Sequence, residues 1–324
     1  MSNPRSILLG DIGGTNLRFA QVAHGTCGPV TTLPRAAYGD MGEAIAAYLD
    51  ASASPAPDRL VLAIAGPMRD SCVTMTNAAW RIDAVELQQR LRIPSVHLVN
   101  DFVATAWSLP ALSANDVHQI GGGPPKPGGV KVACGPGTGL GTSAFIPLDG
   151  CERVIASEAG HITLAAQNTD EDAVLVWLRE KFGHVSAERV ISGPGLVNLH
   201  QALAALSQSS APIKPAAEIV AAAREGRCEL CARALALFCA FLGGFAGDLA
   251  LTFGGRGGLY LTGGILPHMV DLLQASDFRQ RFEAKGRLRD YLAPIPAFVI
   301  LHPEPAILGL QAMIAAGHFQ QATL

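Results

Sequence analysis

Short apolar runs recur along this chain, and the most informative of them stop abruptly at glycine or at a polar pair. Ser6-Ile-Leu-Leu-Gly10 reads as a strand, Asp11-Ile-Gly-Gly-Thr-Asn16 interrupts it, and Leu17-Arg-Phe-Ala-Gln-Val22 alternates as a second strand. Strand, glycine turn and strand predict a β-hairpin. The same pattern returns at Val130–Cys134, Gly135-Pro-Gly-Thr-Gly-Leu-Gly141 and Thr142–Ile146. Between the two lie a helix over 41–51 ended by the Pro-bearing segment 53–57, a buried strand over 59–65 closed by Gly66-Pro67, and a short strand over 73–77. A helix over 83–91 follows, with Asp83 as its cap. Alternating strands and helices predict an α/β architecture.

The run Val96-His-Leu-Val99 ends in Asn100-Asp101, and Phe102–Trp107 has helical composition. This puts a carboxylate at the carboxyl end of a strand, where open α/β sheets bind ligands. Such a carboxylate can take a proton from a substrate hydroxyl while the amide orients that hydroxyl. The competing reading makes Asp101 only the cap of the next helix.

Beyond the second hairpin the pattern turns helical. Helices are expected over 171–182, 196–206, 216–224, 229–253, 278–292 and 305–317, with strands at 257–265 and 298–301. Gly243, Gly244 and Gly247 suggest close packing of the 229–253 helix, and 207–215 reads as a surface loop. The apolar run 234–247 is too short to span a bilayer and predicts a buried helix. The breaker cluster Gly121–Gly129 follows a domain crossing near residue 110.

Composition narrows the chemistry. Only 16% of residues are charged and 49% are hydrophobic, so large cores are available and disorder is not expected. A formal charge of -3 gives no electrostatic reason for nucleic-acid or membrane partners. Seven scattered cysteines, an odd number, read as reduced thiols in a cytoplasmic protein. Met1–Arg5 runs into a strand with no apolar signal region. Cys228-Glu-Leu-Cys231 is the one C-x-x-C; with no second pair and no suitably spaced histidine it reads as a helix face rather than a metal or redox site. No zinc is expected.

Neither glycine turn is a Walker loop or a dinucleotide fingerprint, since Lys-Ser/Thr and the G-x-G-x-x-G spacing are absent. Open backbone N–H groups can still cradle phosphate, and Asp11 is placed to hold a hydrated Mg²⁺. An ordinary tight turn is the plain alternative. Glu158 and His161, three residues apart, suit a polyhydroxylated ligand or merely a solvated turn, and Glu188 stands before Gly193-Pro-Gly195. Gly263-Gly264 would let a base or ribose lie against backbone.

Taken in order, Gly10–Asn16, Asn100–Phe102, Gly137–Gly141, Glu158–His161, Ser186–Gly195 and Gly263–Gly264 resemble the bacterial glucokinase family, the non-repressor group of the hexokinase–actin–sugar kinase superfamily. The resemblance covers nearly the whole chain. It implies two ribonuclease H-like (actin-like ATPase) domains flanking a cleft, a small one of residues 1–110 plus 304–324 and a large one of 111–303. It implies ATP-dependent phosphorylation of D-glucose at the 6-hydroxyl, giving glucose 6-phosphate and ADP, the first step of glycolysis. Asp101 would be the base, and Asn100, Glu158, His161 and Glu188 would bind sugar hydroxyls. Asp11, Gly13, Gly14, Thr15 and Asn16 with Gly137, Thr138 and Gly139 would hold phosphates, Gly263 and Gly264 would lie near adenosine, and Asp11 would hold Mg²⁺, through water. The family's members are commonly homodimers. The related repressor/open-reading-frame/kinase group carries a cysteine-rich zinc motif after its Glu-x-Gly-His; here His161 is followed by Ile-Thr-Leu-Ala-Ala-Gln-Asn, and no DNA-binding domain is expected before Ser6. The rival readings are a hexose kinase of different sugar or phosphoryl-donor specificity and a sugar-binding regulator without turnover.

Overall fold

The structure, a computed structural model, describes residues 6–52, 56–66, 68–69, 71–75 and 80–319. The expected breaker at 53–55, Pro67, the end of the 73–77 strand and the amino-terminal Met1–Arg5 lie outside the described residues. The chain folds as two compact units, one of residues up to Ala111 with those from Pro303 onward, the other of Leu112–His302.

In the first unit, strands β1 (Ser6–Ile12), β2 (Asn16–Ala23), β3 (Thr26–Cys27) and β4 (Thr31–Pro34) precede helix α1 (Met41–Ser52) and strand β5 (Arg59–Ile64). A small antiparallel sheet of β6 (Met68–Arg69), β7 (Cys72–Thr74) and β8 (Arg81–Asp83) leads to α2 (Ala84–Leu91), β9 (Ser95–Asn100) and α3 (Asp101–Ser108). The main sheet runs β3-β2-β1-β5-β9, with β4 on β2. β1, β5 and β9 are parallel, while β1 and β2 form the antiparallel hairpin. Parallel strands buried on both faces read as continuous apolar runs, and β5 is buried from Leu60 to Ile64. Asp83 caps α2 by accepting from the N–H groups of Val85 and Glu86 at 2.9 and 3.3 Å.

The second unit contains β10 (Val117–Gln119), β11 (Lys131–Pro136), β12 (Leu140–Ile146), β13 (Arg153–Ser157), α4 (Thr169–Phe182), α5 (Gly193–Leu206), α6 (Ala216–Arg224) and α7 (Glu229–Phe253). It continues through β14 (Gly258–Leu261), α8 (Val270–Ala275), α9 (Phe278–Glu283), α10 (Arg289–Leu292) and β15 (Ala297–Ile300). Its sheet order is β10-β15-β14-β11-β12-β13. The last helix, α11 (Pro305–Ala315), belongs to the first unit and packs on α3. A Cβ at Gly309 would lie 1.7 Å from the carbonyl oxygen of Ala104, so glycine is what lets these helices meet.

Two expectations change. The charged helix over 278–292 is broken into α9 and α10, with Gly286 at φ +54° between them, a conformation that favours glycine and ends a helix. The helix expected from 196 begins at Gly193, so Gly-Pro-Gly is its first turn rather than a separate turn before it: Ser192 caps it, accepting from Gly195 N–H at 2.9 Å, and proline fits the opening position. α7 spans the expected 229–253 and so extends beyond its apolar run at 234–247. By length and composition it could cross a membrane, yet 78% of its most apolar stretch is buried inside its own unit. It is a core helix, packed on α9 as its glycines suggested.

Candidate active site

In the first unit the candidate residues stand at the carboxyl ends of β1 and β9. β1 and β2 are in register from Ser6↔Ala23 to Ile12↔Leu17, which pairs Asp11 with Arg18 across the strands. The Arg18 guanidinium donates to Asp11 Oδ2 at 3.1 Å. Burial pushes the Asp11 carboxyl above its usual range, Arg18 pulls it back, and the Glu304 carboxylate pushes it up again. The turn closes with Gly13 N–H donating to Asn16 O at 3.0 Å. Its carbonyls are occupied by Arg35, whose Nε donates to Gly14 O at 2.7 Å and whose backbone N–H donates to Thr15 O at 2.9 Å. The Arg35 guanidinium stands 5.3 Å from the Trp80 ring centre. With its acceptors taken, the turn offers donor character, which a phosphate requires.

At the end of β9 the capping question is resolved in favour of Asn100. Its Oδ1 accepts from Phe102 N–H at 3.0 Å and Val103 N–H at 3.2 Å, while Nδ2 donates to Gly66 O at 3.3 Å. Asp101 is the first helical residue of α3, and its Oδ1 also accepts from Phe102 N–H, at 3.0 Å. The positive end of the helix favours the ionised carboxylate there.

In the second unit one residue, Leu140, ties three of the singled-out segments together. Its N–H donates to Glu188 Oε2 at 2.8 Å. Its carbonyl lies so close to Gly160 that a Cβ there would stand 2.1 Å from the oxygen. Glycine at 160 therefore seats the 3₁₀ turn Ala159–His161 on the start of β12. Glu158 precedes that turn and His161 ends it, both mostly exposed, with Oε2 and Nε2 4.0 Å apart. The β11–β12 turn is braced as the first hairpin is: Gly137 N–H donates to Gly139 O at 2.8 Å, and Gly137 O accepts from Gly193 N–H at 2.8 Å. The second bond brings the amino terminus of α5, a natural anion site, against the glycine turn. After β14, Gly263 adopts φ +110° with its Cβ position 2.2 Å from Pro136 O. Packing alone accounts for that glycine. Gly264, like Gly14 and Gly137, has nothing within 4 Å of a Cβ position.

The family model for glucokinases matches residues 8–317. The chain belongs to the glucokinase family. A glucokinase of Yersinia pestis (strain Pestoides F) is 41% identical over 310 residues, 95% of each chain. A solved glucokinase from an Antarctic psychrotroph superposes with a TM-score of 0.84 at 36% identity, covering 96% of this chain and 99% of that one. A glucokinase from Balamuthia mandrillaris, solved in complex with glucose, gives a TM-score of 0.75 at 22% identity over 97% of this chain and 94% of its own, a likeness of fold. The architecture is the two-domain actin-like sugar-kinase fold.

Three features of the structure escaped the reading of the sequence. Arg35 carries no local signal, because its role depends on β4 pairing with β2. The opening turn of α5 was hidden because Gly-Pro-Gly suggests a loop before it suggests a helix start. The histidine missing near Cys228 and Cys231 exists: His200, on α5, offers a ring nitrogen within 4.8 Å of both thiol sulfurs, a cluster that only the packing of α5 on α7 brings together. The described residues of the first unit also line a cavity of about 660 Å³, touching Ser6, Gln21, His24, Tyr48 and Asp58. It lies at the amino end of β1, and none of the candidate residues lines it.

Proposed function

We propose that this chain transfers the γ-phosphoryl group of ATP to the 6-hydroxyl of glucose, giving glucose 6-phosphate and ADP at the head of glycolysis. The observation that carries the reading is the match to the glucokinase family over residues 8–317. The capping arrangement adds support: Asn100 satisfies the first amides of α3, so the cap reading no longer accounts for Asp101. Asp101 is the base that accepts the hydroxyl proton as attack proceeds. Asn100, Glu158, His161 and Glu188 bind sugar hydroxyls, Glu188 with one oxygen engaged by Leu140. The turns Asp11–Asn16 and Gly137–Gly139 hold the phosphates, and Gly263–Gly264 lie near the adenosine. The catalytic domains on this reading are 1–110 with 304–324 and 111–303, and the protein is a cytoplasmic homodimer, a state that sedimentation reads directly.

Asp11 fits a hydrated Mg²⁺. It is a desolvated carboxyl with a second carboxylate, Glu304, acting on it, a donor set suited to a hard cation. Arg18 already holds one oxygen, which favours contact through water. When bound, Mg²⁺ neutralises charge on the phosphates. Phosphoryl transfer is otherwise positioning, and this chain's residues orient the hydroxyl, accept its proton and donate backbone N–H groups to the developing charge.

A coupled assay with ATP and a panel of hexoses tests the activity. Glucose turnover is expected, abolished by chelation of Mg²⁺ and restored by its return. Preference for another hexose or another phosphoryl donor, or binding without turnover, would replace the reading.

Alanine at Gly14 or Gly137 separates ligand contact from folding. Neither glycine has a left-handed φ, and a Cβ at either meets nothing within 4 Å. Melting temperatures should therefore stay within about 2 °C of wild type, since surface changes usually cost no more than about 0.5 kcal/mol. The KM for ATP should nevertheless rise roughly tenfold or more, because the added Cβ would hold a phosphate off the backbone N–H groups, and losing one charge-assisted hydrogen bond to phosphate costs about 1.5–3 kcal/mol. An unchanged KM for ATP in both variants would remove these turns from the phosphate site.

A further inference from the structure

α5 and α7 come together at His200, Cys228 and Cys231, none of them among the residues assigned above. Cys228 caps α7, its sulfur accepting from Cys231 N–H at 3.4 Å. Cys231 sits in the first turn of α7 and is fully buried, and His200 on α5 is 1% exposed. One ring nitrogen and the two sulfurs all lie within 4.8 Å of one another. The Nε2 atom of His200 is buried and meets no hydrogen-bond partner among the described residues. A buried polar nitrogen without a partner costs about 1–3 kcal/mol, so the arrangement lacks something that would satisfy it.

We propose that His200, Cys228 and Cys231 bind a thiophilic divalent cation of the zinc class, clamping α5 to the amino terminus of α7. Two sulfurs and one imidazole are the donor set such a cation selects. Zinc–sulfur bonds of about 2.3 Å in a tetrahedron place sulfurs roughly 3.8 Å apart, so the observed spacing closes with side-chain adjustments of about 1 Å. Water or the Glu218 carboxylate takes the fourth position; Glu218 is close enough to act electrostatically on Cys231 and is ion-paired with Lys214. The site is separate from the position after His161 where the repressor-type kinases carry their cysteine-rich motif. It revises the expectation that this chain has no zinc.

The full chain, kept reduced and anaerobic and stripped with a chelator, is titrated with Co²⁺. One equivalent should produce sulfur-to-cobalt charge-transfer absorption and the intense visible bands of a tetrahedral site, and Zn²⁺ should bleach both. Zinc at about a hundred times its Kd should raise the melting temperature by roughly 5–10 °C. Cys228→Ser and His200→Gln should each abolish the cobalt spectrum and the shift, while Cys151→Ser, at an exposed cysteine, should leave both intact. Serine is itself a good cap, so Cys228→Ser keeps the fold, which circular dichroism checks. No cobalt spectrum in the reduced wild-type chain, or one that survives both substitutions, overturns the proposal.

Discussion

Replacing Asp101 by asparagine should lower kcat by at least about 10²-fold, because a positioned general base contributes typically about 10²–10⁴-fold. Asparagine keeps the size and most of the hydrogen bonding of the side chain but cannot accept a proton at neutral pH. The structure sharpens the experiment. Asn100 holds the amides of Phe102 and Val103, and the Asp101 side chain shares the first of them, a bond that an asparagine oxygen can also accept. Stability should therefore change little, and so should the angle at which α3 leaves β9. Sugar binding, followed by calorimetry or tryptophan fluorescence, should weaken much less than kcat, since the new amide still reaches a hydroxyl. Near-normal kcat in Asp101→Asn would sink the base assignment. A loss of sugar affinity matching the loss of kcat would make Asp101 a binding residue only.

The parts of this protein legible in its sequence are those where one local rule suffices. Both hairpins follow from an apolar strand, a glycine turn and a second strand, and both are present in register. β9, α3 and the polar pair between them follow from an apolar run that stops at Asn100. Where two rules compete, local reading fails. Phe278–Leu292 has helical composition throughout, but Gly286 requires a positive φ and the helix divides. Gly193-Pro-Gly195 suggests a turn, yet a serine cap and a proline suited to the first turn make it the start of α5.

The candidate site shows the same division. Residue types that suit the chemistry can be picked out from sequence, but what holds them cannot. Arg35 reaches the first glycine turn because an edge strand pairs with β2. Glu188 reaches the second through the Leu140 amide, 48 residues away in the chain. His200 meets Cys228 and Cys231 only because α5 and α7 pack together. Each of these is a tertiary contact whose energy depends on desolvation and geometry, quantities that spacing along the chain does not encode.

The largest loss of stability is expected from Glu171→Ala. Glu171 is fully buried at the start of α4, and both its oxygens are in use. Oε2 accepts from Gln167 N–H at 2.8 Å and Oε1 from Asn168 Nδ2 at 3.1 Å, while Asn168 caps the helix by accepting from Glu171 N–H at 2.9 Å. The Arg281 guanidinium of α9 donates to both carboxylate oxygens, through NH2 at 3.0 Å and through NH1. Arg281 is itself almost buried, at 12% side-chain exposure, and its Nε has no hydrogen-bond partner among the described residues. Alanine at 171 would leave that charge in the interior, and breaking one side of a buried pair costs about 3–5 kcal/mol. For a unit of this size that is a fall in melting temperature of roughly 6–20 °C. The segment between His161 and α4 would lose its anchor at Gln167 and Asn168, so sugar affinity should fall together with stability. Removing both charges in Glu171→Ala/Arg281→Met distinguishes the cause, because an apolar pair can replace a buried ion pair at little cost. The double variant should recover most of the lost stability. If it melts as early as Glu171→Ala alone, the stranded guanidinium is not what the glutamate offsets, and the loss belongs to the helix cap.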